Sequence, residues 1–332
     1  MPKLEVVNFL RGYSIFTIIL MHLAKSSSTG AMKTALSFGG AGVHVFILVS
    51  GFGLYLSYLN KPSTYPEFLK KRFLRVYLPY LLILPAFVAF YYFVKNSFDI
   101  MTLSSHVFLF KMFSHTWDTS YAYSLWFIST IFQFYLFWPI ILKLAKYKNG
   151  LLISIIISLG WATFVGWLGK QNDRAWASFF LQYLWEFVLG MKLAEIFKKT
   201  PEKIVIPRYG VLLLGVIVGL LLTGLMGKMG GVMKLYNDIP SLVGYLSLAL
   251  LVYKLSLPYV NRFFIYTNRI SYEWFLVHGL VIQMFRGMLR SALPTPLALF
   301  ICLFSSYFLA IVFNQLLLQI NIKKNRNERK RL

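Results

Sequence analysis

Apolar runs of about 20 residues follow one another along this chain, separated by short stretches rich in Lys, Asn, Ser and Pro. A helix needs roughly 20 predominantly apolar residues to cross the hydrocarbon core of a bilayer. The pattern predicts ten such helices, near 6–24, 37–59, 74–95, 124–142, 150–169, 174–191, 209–227, 237–256, 271–289 and 295–320. The longest gap, 96–123, holds SSHVFLFKMF (Ser104 to Phe113), which reads as an interfacial or re-entrant segment. The first run resembles a signal peptide, with Lys3 ahead of it and the small residues AKSSSTGA (Ala24 to Ala31) behind. It lacks a compact apolar centre and further runs follow, so it is expected to stay as an uncleaved anchor. No internal repeat of the kind common in transporters is visible.

Composition agrees with the pattern. Of 332 residues, 58% are hydrophobic and 14% charged, against about 45–50% and about 25% in soluble domains, and the mean hydropathy is +0.64. The expected fold class is an all-α integral membrane protein, a bundle of about ten transmembrane helices. The net charge of +23 does not form a basic domain but flanks the apolar runs, so nucleic acid is excluded as a partner and membrane lipids are expected. Of the 34 Lys and Arg residues, 24 fall on the alternate connections that include both termini and 10 on the others. The positive-inside rule therefore places both termini in the cytoplasm. Residues 1–322 form the membrane domain, and 323–332, with KKNRNERKR, a basic cytoplasmic tail expected to touch anionic lipid. One cysteine, Cys302, excludes an intramolecular disulfide.

Two polar residues interrupt the first span. In RGYSIFTIILMH, Arg11 and His22 are eleven positions apart, which at 100° per residue puts them within about 20° of one face and about 16 Å apart along the axis. Asn8, Ser14 and Lys25 fall near the same stripe. A charge facing lipid costs several kcal/mol, so such a stripe faces the bundle interior or a water-filled cavity. Two readings stand side by side. In one, Arg11 holds an anionic group and His22 serves as base or nucleophile. In the other, Arg11 reaches the inner headgroups and His22 makes one interhelical hydrogen bond.

Five further stretches favour the first reading. GVHVFILVSGFGL (Gly42 to Leu54), KKRFLRVYLPY (Lys70 to Tyr80), SLWFISTIFQFYLFWPI (Ser124 to Ile140), WEFVLGMKLA (Trp185 to Ala194) and RISYEWFLVHGLVI (Arg269 to Ile282) follow in order. Together with the Arg-x10-His pair, they resemble acyltransferase family 3, membrane proteins that O-acetylate bacterial surface glycans. The chain departs from that pattern at Ile131 and Phe132, where many members carry acidic residues, and at His44, where Asp is frequent.

The resemblance implies an acyltransferase of the bacterial plasma membrane. It would move an acetyl group from cytoplasmic acetyl-CoA to a hydroxyl of a glycan or lipid-linked sugar. It also implies a catalytic His22, as base or acyl carrier, with Arg11 beside it. Phosphates of the donor call for a basic dock, for which Arg72, Arg75 and Lys71 are the candidates.

Other polar residues have cavity and structural readings alike: His44, Ser50, Trp126, Glu186, Tyr272 and His278. Glu186 is a candidate to neutralise Arg11, and His44 to approach His22. Gly51 and Gly53 suit close helix packing. His106 and His115 fall in the 96–123 connection and are expected to be dispensable. No Cys, His or carboxylate run has metal-ligand spacing, so no metal is expected. The rival function class is a transporter or flippase for lipid-linked saccharides.

Overall fold

The computed structural model describes residues 2–24, 36–118, 120–121, 123–288 and 295–329. Lys25, with the stretch to Ala31, and residues 330–332 lie outside them. All regular structure among the described residues is helical. The main helices are α1 (Pro2–Ala24), α2 (Gly42–Asn60), α3 (Tyr65–Lys95), α4 (Ile100–Val107), α5 (Trp126–Leu136), α6 (Trp138–Lys146) and α7 (Gly150–Trp167). They continue as α8 (Leu184–Lys199), α9 (Tyr209–Met229), α10 (Asp238–Lys254), α11 (Pro258–Thr267), α12 (Ser271–Met288) and α13 (Thr295–Arg329).

Seven helices among the described residues are long and apolar enough to cross a membrane, or eight if α5 and α6 count as one bent span. Three of the ten sequence-predicted runs are not among the seven: 271–289 forms α12 without being apolar enough to count, and two others take a different form. The 124–142 run bends by 64° between α5 and α6. Pro139 sits in the first turn of α6 and has no N–H to continue the ladder of α5. The 174–191 run is not one helix. Residues 178–183 form turns, and the regular helix starts only at Leu184 and runs on to Lys199. The tail has no structural boundary at residue 323, because α13 continues unbroken through it to Arg329.

The helices enclose two large apolar cores. One joins Ile15 and Ile19 of α1 to Tyr80 and Phe87 of α3, Leu276 and Leu280 of α12, and Ala310 of α13. The other joins Phe52 and Tyr55 of α2 to Phe68 of α3, Phe134 of α5, Trp138 of α6, and Phe187 and Met191 of α8. A smaller cluster fixes α10 to α1 and α2 through Leu10, Val45, Leu242 and Tyr245. The periphery is reversed: α9 exposes Leu213, Leu214, Ile217, Leu221 and Leu225. Such a continuous apolar face suits lipid and not water.

Helices α2 and α8 meet backbone to backbone. A Cβ on Gly51 would strike the Phe187 carbonyl, and one on Gly190 the Leu48 carbonyl. Small residues permit this approach, which lipid alone would not drive. Gly190→Ala is expected to cost about 1–3 kcal/mol by overpacking, read as a lower unfolding midpoint of the detergent-purified protein. An unchanged midpoint would mean that the two helices separate without cost.

The 96–123 connection folds back against α3. Helix α4 starts at the Asp99 N-cap, whose carboxylate accepts from Met101 N at 3.2 Å and Thr102 N at 2.7 Å. The same carboxylate accepts the Thr102 hydroxyl; this bond, with the two backbone bonds, holds the exposed Asp99 carboxyl below its usual range. The segment then descends along α3 until the Tyr77 hydroxyl donates to Val107 O and the Tyr80 hydroxyl lies 3.0 Å from His106 O. His106 is fully buried, with Nδ1 3.1 Å from Tyr80 Oη and Nε2 3.1 Å from Ser120 Oγ. His106 is therefore not an exposed loop residue but part of the packing of this segment.

Candidate active site

A cavity of about 610 Å³ lies where the two cores meet, walled by α1, α2, α3, α5 and α12. Its size is that of a small-molecule site. Helix α1 contributes both of its central polar residues. Arg11 and His22 line the same cavity, as their shared helical face requires. Arg11 Nη2 donates to Val49 O of α2 at 3.0 Å. Gly53, one turn further along α2, leaves room for this guanidinium: a Cβ there would lie 2.8 Å from Nη2. Gly53 thus serves the arginine, while Gly51 serves helix packing. Ser14 departs from the stripe. It is fully buried and outside the cavity lining. Asn8 accepts from Asn268 Nδ2 at 3.1 Å and so ties α1 to the start of α12.

Helix α3 brings Arg72 and Arg75 to the same wall. Around them the helix widens to a π-turn over Phe73–Tyr77, where Leu78 N–H reaches back to Phe73 O. Pro79 offers Arg75 O no N–H, which loosens the α-helical ladder at this point. The Tyr272 hydroxyl donates to Val76 O at 2.5 Å and fastens α12 across the π-turn. Two stretches almost 200 positions apart in sequence are thereby joined at the site. Lys71 does not share this placement; it is exposed and absent from the lining.

Ser50, Trp126 and Tyr272 line the cavity as well. The Arg174 guanidinium lies 4.8 Å from the Trp126 ring centre, a cation–π contact that fixes this wall. His278 stands behind His22, with ring centres 5.4 Å apart. Its Nδ1 lies 2.7 Å from Phe275 O on its own helix, so Nδ1 carries the proton and the ring is fixed in one orientation.

Two expectations are corrected here. His44 does not approach His22, and Glu186 does not neutralise Arg11. They pair with each other, His44 Nδ1 to Glu186 Oε1 at 2.8 Å, and neither lines the cavity. His44 lies between Val43 and Val45 on α2, and its side chain turns to α8 and α10.

Sequence reasoning passed over Tyr135, Asn268, Arg269 and Glu273, all of which line the cavity. Arg269 and Glu273 sit inside the stretch RISYEWFLVHGLVI, in which only Tyr272 and His278 stand out as candidates. Tyr135 lies in an apolar run with no signal of its own. With Arg269 included, four guanidiniums face one carboxylate, Glu273, among the described lining residues. Arg75 and Arg269 are exposed, and Arg11 and Arg72 partly buried, so positive charge extends from the rim inward. Guanidiniums bind phosphate through charge-assisted, often bidentate hydrogen bonds, and an anion is what this end of the cavity can hold. The other end offers the His22 imidazole, a group suited to proton transfer near neutral pH.

No curated protein and no solved structure matches the chain. The acyltransferase domain model of acyltransferase family 3 matches residues 4–315, a range that takes in every residue lining the cavity. A polytopic helical bundle, an Arg-x10-His pair in its first helix and this match agree, and the protein belongs to acyltransferase family 3, as a membrane acyltransferase.

Proposed function

We propose that the protein transfers an acetyl group from cytoplasmic acetyl-CoA to a saccharide hydroxyl presented from the outer side of a bacterial plasma membrane. One observation carries this reading: a single cavity holds His22 together with Arg11, Arg72, Arg75 and Arg269. The guanidiniums take the phosphates of the donor and leave the thioester directed along α1 toward His22. The His22 imidazole accepts the proton of the acceptor hydroxyl as its oxygen attacks the thioester carbonyl carbon. The carbon–sulfur bond then breaks, and the departing thiolate takes the proton from the imidazolium. Aromatic walls, Trp126, Phe127 and Tyr272, limit water near the thioester and so disfavour hydrolysis.

The direction of transfer follows from orientation. With both termini cytoplasmic, the end of the cavity at Arg11, Arg72 and Arg75 faces the donor pool, and His22 stands toward the outer half. A reporter fused after residue 332 is expected to be active only inside the cell; activity only outside would invert the scheme.

The enzymatic reading is tested with purified protein in nanodiscs. Thiol release from acetyl-CoA is expected on adding glycan extracted from a strain lacking the protein. The extract from that strain is also expected to lack one O-acetyl group present in wild type. No thiol release with that glycan, together with accumulation of lipid-linked saccharide on the inner leaflet of the deletion strain, would favour the transporter class instead.

A further inference from the structure

A second polar cluster lies on the far side of α2 from the cavity. His44 of α2, Glu186 of α8 and Asp238 at the start of α10 each offer a ligand atom, and these atoms lie within 4.8 Å of one another. Positions 44, 186 and 238 carry no ligand spacing in the sequence, and only the packing of three helices brings them together. We propose that His44 and Asp238 bind a divalent first-row transition metal ion of the zinc class. Glu186 stands behind the imidazole and Gln182 behind the Asp238 carboxylate.

The distances on the two sides of the imidazole differ in kind. On one side, Nδ1 stands 2.8 Å from Glu186 Oε1, a normal hydrogen bond. That bond fixes the ring so that Nε2 faces Asp238. On the other side, Nε2 and Asp238 Oδ1 are 3.7 Å apart, too far for a hydrogen bond. Two atoms each about 2.1 Å from one zinc ion stand about 3.4 Å apart at the tetrahedral angle and about 3.6 Å apart at 120°. At 3.7 Å the gap is slightly wider than these separations and close enough for one ion to bridge the two atoms. Metal-binding histidines characteristically donate their other ring N–H to a carboxylate, and ligating carboxylates are in turn hydrogen-bonded. Glu186 fills the first of these roles. Gln182 fills the second, donating from Nε2 to Asp238 Oδ2 at 2.7 Å.

An independent observation asks for positive charge at the same place. Gln182 also donates from Nε2 to Leu235 O at 2.6 Å, which fixes its amide and commits its donors. Its Oε1 is left buried without a hydrogen-bond partner, as are Glu186 Oε2 and Asn237 Oδ1. Glu186 is fully buried and Gln182 3% exposed. Surplus buried acceptors beside two carboxylates are satisfied by a hydrogen-bond donor or a cation and not by further acceptors. Imidazole nitrogen with carboxylate oxygen is a donor pair for Zn²⁺ or Mn²⁺ and not for a soft metal. The His44 and Asp238 side chains are 13% and 14% exposed, enough for an ion to reach them. Bound there, the ion fastens α2 to α10, and through Glu186 to α8, behind the wall that carries Val43 and Phe46 into the cavity.

The test uses the full chain, purified in detergent through an affinity tag free of histidine. Its metal content is measured by mass spectrometry before and after chelation, followed by titration with ZnCl₂ and, separately, MnCl₂. The expected result is one metal ion per chain, retained or regained at micromolar concentration. Its return is expected to raise the unfolding midpoint by about 5 °C or more. Asp238→Asn and His44→Gln should elute as the wild type does, yet hold no metal and show no metal-dependent shift. Wild-type protein that neither retains nor takes up either metal would overturn the proposal and leave a buried ion cluster held by a proton. The same conclusion follows if both variants keep the wild-type stoichiometry. The wild-type measurements decide the matter even if the variants do not fold.

Discussion

His22→Ala, reconstituted in a bilayer, is expected to bind acetyl-CoA as wild type does and to transfer acetyl about 10²–10⁴ times more slowly, the usual cost of removing a general base. The substitution is expected to leave the fold intact, because His22 is partly buried on the cavity wall while Ile15, Ile19 and Leu23 carry the packing of the same helix. Removing the imidazole enlarges the cavity without exposing a core. Donor binding rests on the guanidiniums, of which Arg11 lies about 16 Å from His22 along α1, so KM for acetyl-CoA is expected to stay near the wild-type value while kcat collapses. A folded variant that transfers at near the wild-type rate would end the role of His22. Loss of donor binding in step with rate would instead make it a binding residue.

The double variant Arg72→Ala/Arg75→Ala is expected to show the opposite split. Each charge-assisted hydrogen bond to phosphate contributes roughly 1.5–3 kcal/mol, so KM for the donor should rise about tenfold or more per residue and roughly a hundredfold for the pair. The maximal rate at saturating donor should change far less. Arg75 is exposed and Arg72 half-buried on the π-turn, so neither is needed to fill a core. Salt should weaken donor binding to wild type more than to the variant, since phosphate contacts by exposed cations are screened. Unchanged donor kinetics in the double variant would return the pair to anchoring at the headgroups. Lys71→Ala is the matched control: it is exposed on the same helix, does not line the cavity, and should leave KM unchanged.

These predictions rest on two sources of information. Helical spacing made Arg11 and His22 legible from the sequence, because a rigid helix fixes the relative direction of any two of its side chains. The same rule misplaced Ser14, only about 60° from Arg11 on the same helix, since helical phase does not specify which neighbour stands opposite each strip of the surface. His44 shows the limit more sharply. Its position near the outer end of α2 was visible, but the choice between His22 and the pair Glu186 and Asp238 depends on how α8 and α10 pack around α2.

Hydropathy determined that the chain is a polytopic helical membrane protein. Desolvating backbone and side chains in lipid is a local, additive cost, and local costs can be read residue by residue. It did not determine the bend at Phe137 or the late start of α8, where Pro139 and the turns at 178–183 interrupt predominantly apolar runs. The family resemblance marked Arg72 and Arg75 as a donor dock and left Tyr272 with cavity and structural readings alike. The link between them, the Tyr272 hydroxyl on Val76 O, exists only because a proline loosens one turn of α3 and α12 crosses at that height. The sequence by itself determined the class of the protein and the chemistry of its first helix. Tertiary packing alone decided that four arginines share one cavity with His22, and that His44, Glu186 and Asp238 meet elsewhere, because contacts between helices far apart in the chain have no local signature.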